Sequence, residues 1–199
     1  MPDPDLPPDV DPGSRCRLAL IRREDLDAEA QKAFDQVTDP HARSRIGLNG
    51  PQGIRLHSPR LIGPTQELNS YLRWEAGLSG AWRELAILVA AREMDSQFEW
   101  TAHEPIAVEE GLAPEIIDIV RHGRDSEGLS EEPAVIIELG RQLFREKRLS
   151  PENYARAQAL FGIRKLVDLI TLMSQYAATA LLLTAFDMQL PPGKQPLLP

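Results

Sequence analysis

Glu84, Glu99 and His103 lie in one stretch, RELAILVAAREMDSQFEWTAHE, spanning 83–104. They are two carboxylates and an imidazole. Glu99 and His103 are separated by four positions, one turn of a helix, so they share a face if the segment is helical. A carboxylate on one ring nitrogen fixes the tautomer of a histidine and raises its basicity. Such a set can take a proton from carbon next to a carbonyl, or protonate the carbanion left by decarboxylation. In that chemistry His103 is the acid–base group, Glu84 its orienting partner, and Glu99 a second base or a substrate contact. Phe98 and Trp100 are the candidate walls of the pocket. The same residues also fit a packing role: a core histidine with a satisfied bond, an ordinary Glu99–His103 surface pair, and Glu84 as a favourable charge in the first turn of its helix.

The elements that would position these groups follow from periodicity and punctuation. Residues 82–94 are apolar on nearly every side, which marks a buried helix. Asp95 and Ser96 supply a turn, and a second helix follows to Glu110, stopped by Gly111. A short turn between two helices makes an antiparallel hairpin, which can bring Glu84 to the end of the hairpin where His103 sits. Pro105 lies inside the second helix and threatens a kink there.

Upstream, Asp25 is the expected cap of a helix in which Leu26, Ala30, Ala33, Phe34 and Val37 share a face. Residues 39–64 read as a long connection with at most a helical turn. Thr65 is the expected cap of a helix carrying Leu68, Tyr71 and Leu72, broken by 77–80. Downstream, Pro114 sits just inside a short helix, Ser130 begins another, and Ser150–Pro151 is a cap with proline at the first helical position. Gly162 closes that helix, and a long apolar one runs from about Lys165 to Phe186. No strand-period alternation is present, so the expected fold is all-α: a single-domain helical bundle over 15–190, after a disordered acidic Pro-rich leader (1–14) and before an extended Pro-rich tail (191–199).

Composition narrows the function classes. A formal charge of −8 leaves no basic stripe for nucleic acid and no electrostatic attraction to an anionic membrane. Cys16 is the only cysteine, so an internal disulfide, a dithiol redox centre and a cysteine metal cluster are excluded. The segment Leu169–Phe186 is free of charge but short for a spanning helix and polar at its centre, and reads as a buried or subunit-interface helix. The leader lacks the features of a secretory signal, and the expected location is cytoplasmic.

With those residues in view, the stretch resembles the signature of the carboxymuconolactone decarboxylase and alkylhydroperoxidase-D-like superfamily. Members carry a helix opening with Glu, then Cys-x-x-Cys, then His four residues beyond the second Cys. Glu84 matches the glutamate and His103 the histidine, while Ser96 and Glu99 stand where the cysteines would be. NGPQGIRLHSPRL before the motif and HEPIAVEEGL after it resemble the longer members that carry Glu-Trp-x-x-His, and the likeness runs from about Gly50 to Leu190. It implies an all-α fold assembling through its long helices into a homo-oligomer, trimer or hexamer. Hydroperoxide reduction by that family's route needs a thiolate and a resolving thiol, which Ser96 and Glu99 cannot supply.

The expectation is therefore a lyase or isomerase that needs no cofactor and acts on a small carboxylate or lactone through His103, Glu84 and Glu99. Trp100, Phe98 and Ser96 are its candidate substrate contacts. Two alternatives stay open: a non-enzymatic helical oligomer that binds a small molecule, and a partner-assisted antioxidant in which Cys16 meets a neighbouring subunit's His103. A metal held by Glu84, Glu99 and His103 is not expected without a second histidine nearby. His41, His57 and His122 read as solvated loop histidines. Arg45 and Arg55 could pair with a substrate carboxylate, and Tyr176 reads as a residue of a subunit seam.

Overall fold

The computed structural model describes residues 6–41 and 47–199; Arg45 lies outside them. Among the described residues the secondary structure is helical, with an isolated bridge between Asp11 and Cys16 and no strand. The protein is all-α. Eight α-helices follow in order: α1 (Ala28–Thr38), α2 (Pro51–Arg55), α3 (Ile62–Ser70), α4 (Gly80–Glu93), α5 (Gln97–Glu109), α6 (Pro114–Arg121), α7 (Glu131–Arg141) and α8 (Pro151–Ala185). Wide π turns extend α3 over Tyr71–Glu75 and α7 over Gln142–Glu146. The chain divides into two compact units, one made of Met1–Leu68 and Leu181–Lys194, the other of Asn69–Ala180 and Gln195–Pro199.

In the first unit, Val37, Leu56 and Ile62 form a small core. The leader is not disordered throughout, contrary to expectation: Val10 and Ser14 are buried, and the Asp11 side chain accepts from the backbone N–H groups of Gly13 and Ser14. Cys16 is 2% exposed, with its thiol beside Ser14 Oγ and the Leu18 carbonyl. The cap of α1 is Asp27, which accepts from the N–H groups of Glu29 and Ala30; Asp25 sits in a preceding 3₁₀ turn and pairs with Arg22. Both aspartates carry cap chemistry, and only the local backbone selects between them. The expected long connection also holds more structure than one turn: α2, a 3₁₀ turn at Pro59–Leu61, and the start of α3. Thr65 is inside α3 rather than at its cap, its hydroxyl bonding the Leu61 and Ile62 carbonyls.

The second unit holds the main core. Every residue of α4 from Arg83 to Ala91 is buried, as its apolar circumference requires. Ser79 caps α4, accepting from Trp82 N–H. Asp95 takes the left-handed conformation (φ 48°) and Ser96 caps α5 through Glu99 N–H. Those two residues turn the chain back, and Arg83 near the start of α4 consequently meets Glu110 just past the end of α5. Pro105 is exposed and α5 continues through it. Helix α7 crosses α4 closely at Gly140, where an added Cβ would overlap Val89 Cγ1. Ser150 caps α8 through Asn153 N–H, and Gly162, at φ 69°, breaks that helix where the sequence places a stop.

Helix α8 is long and apolar enough to cross a membrane, and 56% of its most apolar window is buried within the protein. The last residues of the tail are anchored: Gln97 accepts from the N–H groups of Leu197 and Leu198 and donates to the Leu198 carbonyl.

Candidate functional site

The α4–α5 hairpin brings Glu84 and His103 together. Nδ1 of His103 lies 2.7 Å from Glu84 Oε2, and both residues are buried, Glu84 completely. An ionised carboxylate only accepts hydrogen bonds. Nδ1 therefore carries the hydrogen, and Nε2 is the nitrogen that gains or loses a proton. Nε2 faces Glu99 Oε2 at 3.7 Å, too long for a hydrogen bond, so the two groups oppose each other. The spacing expected of a continuous helix holds despite Pro105.

Glu84 is held on its other oxygen by two arginines that sequence reasoning passed over. Arg83 Nε donates to Oε1 at 2.9 Å and Arg73 Nη2 at 3.2 Å. Arg83 is itself buried and also bonds Glu110 Oε1 and the Arg73 carbonyl. Burial by itself pushes the Glu84 carboxyl up. The hydrogen bond and charge of His103, together with Arg73 and Arg83, outweigh it and bring the group down to about 2. Burial likewise works against the Arg83 charge, and Glu84 and Glu110 outweigh it, holding the guanidinium above its ordinary range. The half-exposed Trp74 lies beneath both guanidiniums, 5.0 Å from Arg73 and 4.6 Å from Arg83. Arg73 and Trp74 both belong to the π turn that follows α3; such turns recur at functional sites.

Tyr176 of α8 belongs to this cluster. Its ring meets the His103 imidazole edge-on, with centroids 5.0 Å apart and planes at 88°. Burial pushes its phenol well above the usual range, so the hydroxyl keeps its proton. A buried tyrosine on an apolar helix does call for a polar neighbour, but periodicity alone cannot say that the neighbour is His103 rather than another subunit.

The remaining candidates fall elsewhere. Trp100 is fully buried, and its indole N–H donates to Glu104 Oε2 at 2.7 Å, with Arg121 bonding the same carboxylate and lying over the indole ring. Phe98 is buried on α5, and Ser96 serves as the cap of that helix. His41 and His57 are exposed, Arg55 lies in α2, and His122 is exposed and pairs with Asp118. Among the described residues, no group of three His, Cys, Asp or Glu side chains is arranged to hold a metal ion.

No known family model matches this chain, and no curated protein matches it.

Proposed function

We propose that His103 is the acid–base group of a lyase or isomerase acting on a small carboxylate or lactone. The Glu84 Oε2–His103 Nδ1 contact at 2.7 Å carries this reading. It fixes the hydrogen on Nδ1 and turns the basic Nε2 toward Glu99. In the forward step Nε2 takes a proton from carbon next to a carbonyl, and the bonding pair moves onto the carbonyl oxygen. The imidazolium so formed is stabilised by the Glu84 carboxylate, which is kept ionised by His103 itself and by Arg73 and Arg83 on its other oxygen. Return of the proton to another carbon completes an isomerisation; in a decarboxylation no proton is abstracted first, and the imidazolium instead protonates the carbanion left by departing carbon dioxide and regains its proton from water. Glu99 acts as the second base or contacts the substrate. No thiol takes part, since Ser96 and Glu99 stand where a dithiol would have to be.

This chemistry and the Glu84–His103 spacing support membership of the carboxymuconolactone decarboxylase-like group, and with it a cytoplasmic trimer or hexamer. Ile163, Val167 and Leu181 of α8 are each more than half exposed, which supports a helix-mediated assembly.

The test is solvent-deuterium incorporation into a panel of small keto acids and lactones, followed by NMR with wild type and His103→Gln. Exchange that disappears in a variant with wild-type stability supports the proposal. Equal exchange in both proteins refutes it. A second reading, a helical oligomer that binds a small molecule without turning it over, is favoured by the depth of the ion cluster: Glu84, Arg83, Glu99 and His103 are all buried. That reading expects no exchange in wild type and a loss of stability in His103→Gln.

A further inference from the structure

Arg83 divides between two carboxylates the two nitrogens that are best placed to grip one. Nε and Nη2 lie along one edge of a guanidinium and form the fork that meets both oxygens of a single carboxylate. In this cluster Nε donates to Glu84 Oε1 at 2.9 Å and Nη2 to Glu110 Oε1 at 2.8 Å. The third nitrogen, Nη1, donates to the Arg73 carbonyl at 3.1 Å. Glu110 stands just past the end of α5, is exposed, and has no part in the proton transfer itself. Its carboxyl group lies against Gly80 in the first turn of α4, where an added Cβ would overlap Glu110 Oε2 and Cδ. Gly80 does not adopt a positive φ, so the helix does not call for glycine at that position. What the missing side chain provides is room for the Glu110 carboxylate. Nor does Glu110 help to keep Glu84 ionised: a second carboxylate on Arg83 draws its charge away from the first.

We infer that Glu110 is a positioning residue, and Gly80 the residue that makes room for it: by taking Nη2 of Arg83, Glu110 keeps the fork from closing on Glu84 and reserves Glu84 Oε2 for His103 Nδ1. The inference rests on the acid–base reading of His103 and says what protects the orientation of its imidazole. A bidentate arginine–carboxylate pair is the stronger arrangement. With Nε already on Oε1, Arg83 completes that pair once Nη2 reaches Oε2, the oxygen that His103 now uses. A closed fork fixes the carboxylate in the plane of the guanidinium. A single Nε contact leaves that rotation free, and Nδ1 sets it from the other oxygen. Glu110 therefore acts on the imidazole through Arg83 and Glu84, without touching it. The chain Glu110–Arg83–Glu84–His103 carries its effect from an exposed side chain to a buried one.

The experiment uses the full chain with isotope-labelled histidine, in which ring-nitrogen NMR reports which nitrogen of each neutral imidazole carries the hydrogen. His103→Gln identifies the His103 signal among those of His41, His57 and His122. The expected wild-type form has the hydrogen on Nδ1. In Glu110→Ala and in Gly80→Ala the ratio of the Nδ1–H form to the Nε2–H form should fall about ten- to a hundredfold, the worth of one hydrogen bond to a charged group. Lysine has no fork, so adding Glu110→Ala to Arg83→Lys should leave the ratio where Arg83→Lys alone puts it. A wild-type ratio in folded Glu110→Ala overturns the inference. So does a further tenfold fall when Glu110→Ala is added to Arg83→Lys, which would mean that Glu110 acts without Arg83. If Glu110→Ala fails to fold, Gly80→Ala decides alone, since alanine suits the first turn of a helix. The ratio is read without substrate, so failure of the acid–base reading shows separately, as deuterium exchange that survives in His103→Gln.

Discussion

Replacing Glu84 by glutamine keeps the shape of the side chain and removes its charge, which makes it the sharpest probe of the cluster. The carbonyl oxygen of the new amide can still accept from Arg83 and Arg73. Its NH₂ group then faces His103 Nδ1, where a donor would oppose a donor, so the imidazole hydrogen is driven to Nε2. The magnitude follows from the carboxyl itself, which lies at about 2 in the folded protein against an unperturbed 4.5. At about 1.4 kcal/mol per pH unit, that gap corresponds to roughly 3 kcal/mol of stability carried by the ionised form.

The pH dependence fixes the sign. The group is depressed on folding, so the unfolded chain binds the proton more tightly and stability falls as pH falls. The contribution is complete at pH 7, begins to fade near 4.5 and is gone below about 2. Urea denaturation of wild type and Glu84→Gln should therefore differ by about 3 kcal/mol at pH 7 and by roughly half that at pH 3. In a chain of this length the larger figure corresponds to a melting temperature lower by about 6–12 °C. A gap that stays constant from pH 7 to pH 3 would mean the effect is packing and not charge. The absence of a gap at pH 7 would refute the account of Glu84 altogether.

Two other perturbations test the frame that carries the site. Gly140→Ala drives a Cβ into Val89 Cγ1 and places it 3.6 Å from Met173 Cε in a fully packed contact, and should destabilise by about 1–3 kcal/mol in urea; adding Val89→Ala should recover part of that loss, and strict additivity would show that the two positions do not meet. Gln97→Ala removes all three hydrogen bonds that hold Leu197 and Leu198, so hydrogen exchange at those two amides should accelerate while α4 keeps its protection; unchanged exchange would mean the tail is held by the burial of Leu198 alone.

What the sequence made legible was local. The turn at Asp95–Ser96, the stops at Gly111 and Gly162, the helix start at Ser130, the cap Ser150 and the wholly apolar α4 all follow from chemistry within a few residues, and all reappear in the structure. The Glu99–His103 relation is local too, one helical turn. What stayed hidden depended on distance or reach. Arg83 is the immediate neighbour of Glu84, and adjacent helix positions point in different directions; only the length of the arginine stem lets its Nε return to Glu84 Oε1. Arg73 arrives from the π turn beyond the break at 76–79, a path that no periodicity describes. Tyr176 comes from α8, remote in sequence, and meets the imidazole from the same core that holds Leu172 and Met173. Trp100 is engaged by Glu104 one turn along its own helix, a pairing as local as that of Glu99 and His103.

The two oxygens of Glu84 separate the structural demand from the chemical one. Oε1 takes both arginines and Oε2 takes His103, so a charge that would otherwise be intolerable in a fully buried position is met on both oxygens. Oε2 takes Nδ1, so the carboxylate orients the imidazole while the imidazole in turn helps to keep the carboxyl ionised. Beyond its contact with Glu84, the imidazole faces Glu99 with its second nitrogen at 3.7 Å and meets the ring of Tyr176 edge-on. Holding the Glu84 charge uses only Nδ1, and the second nitrogen, turned away toward Glu99, is why the acid–base reading is preferred over a structural histidine.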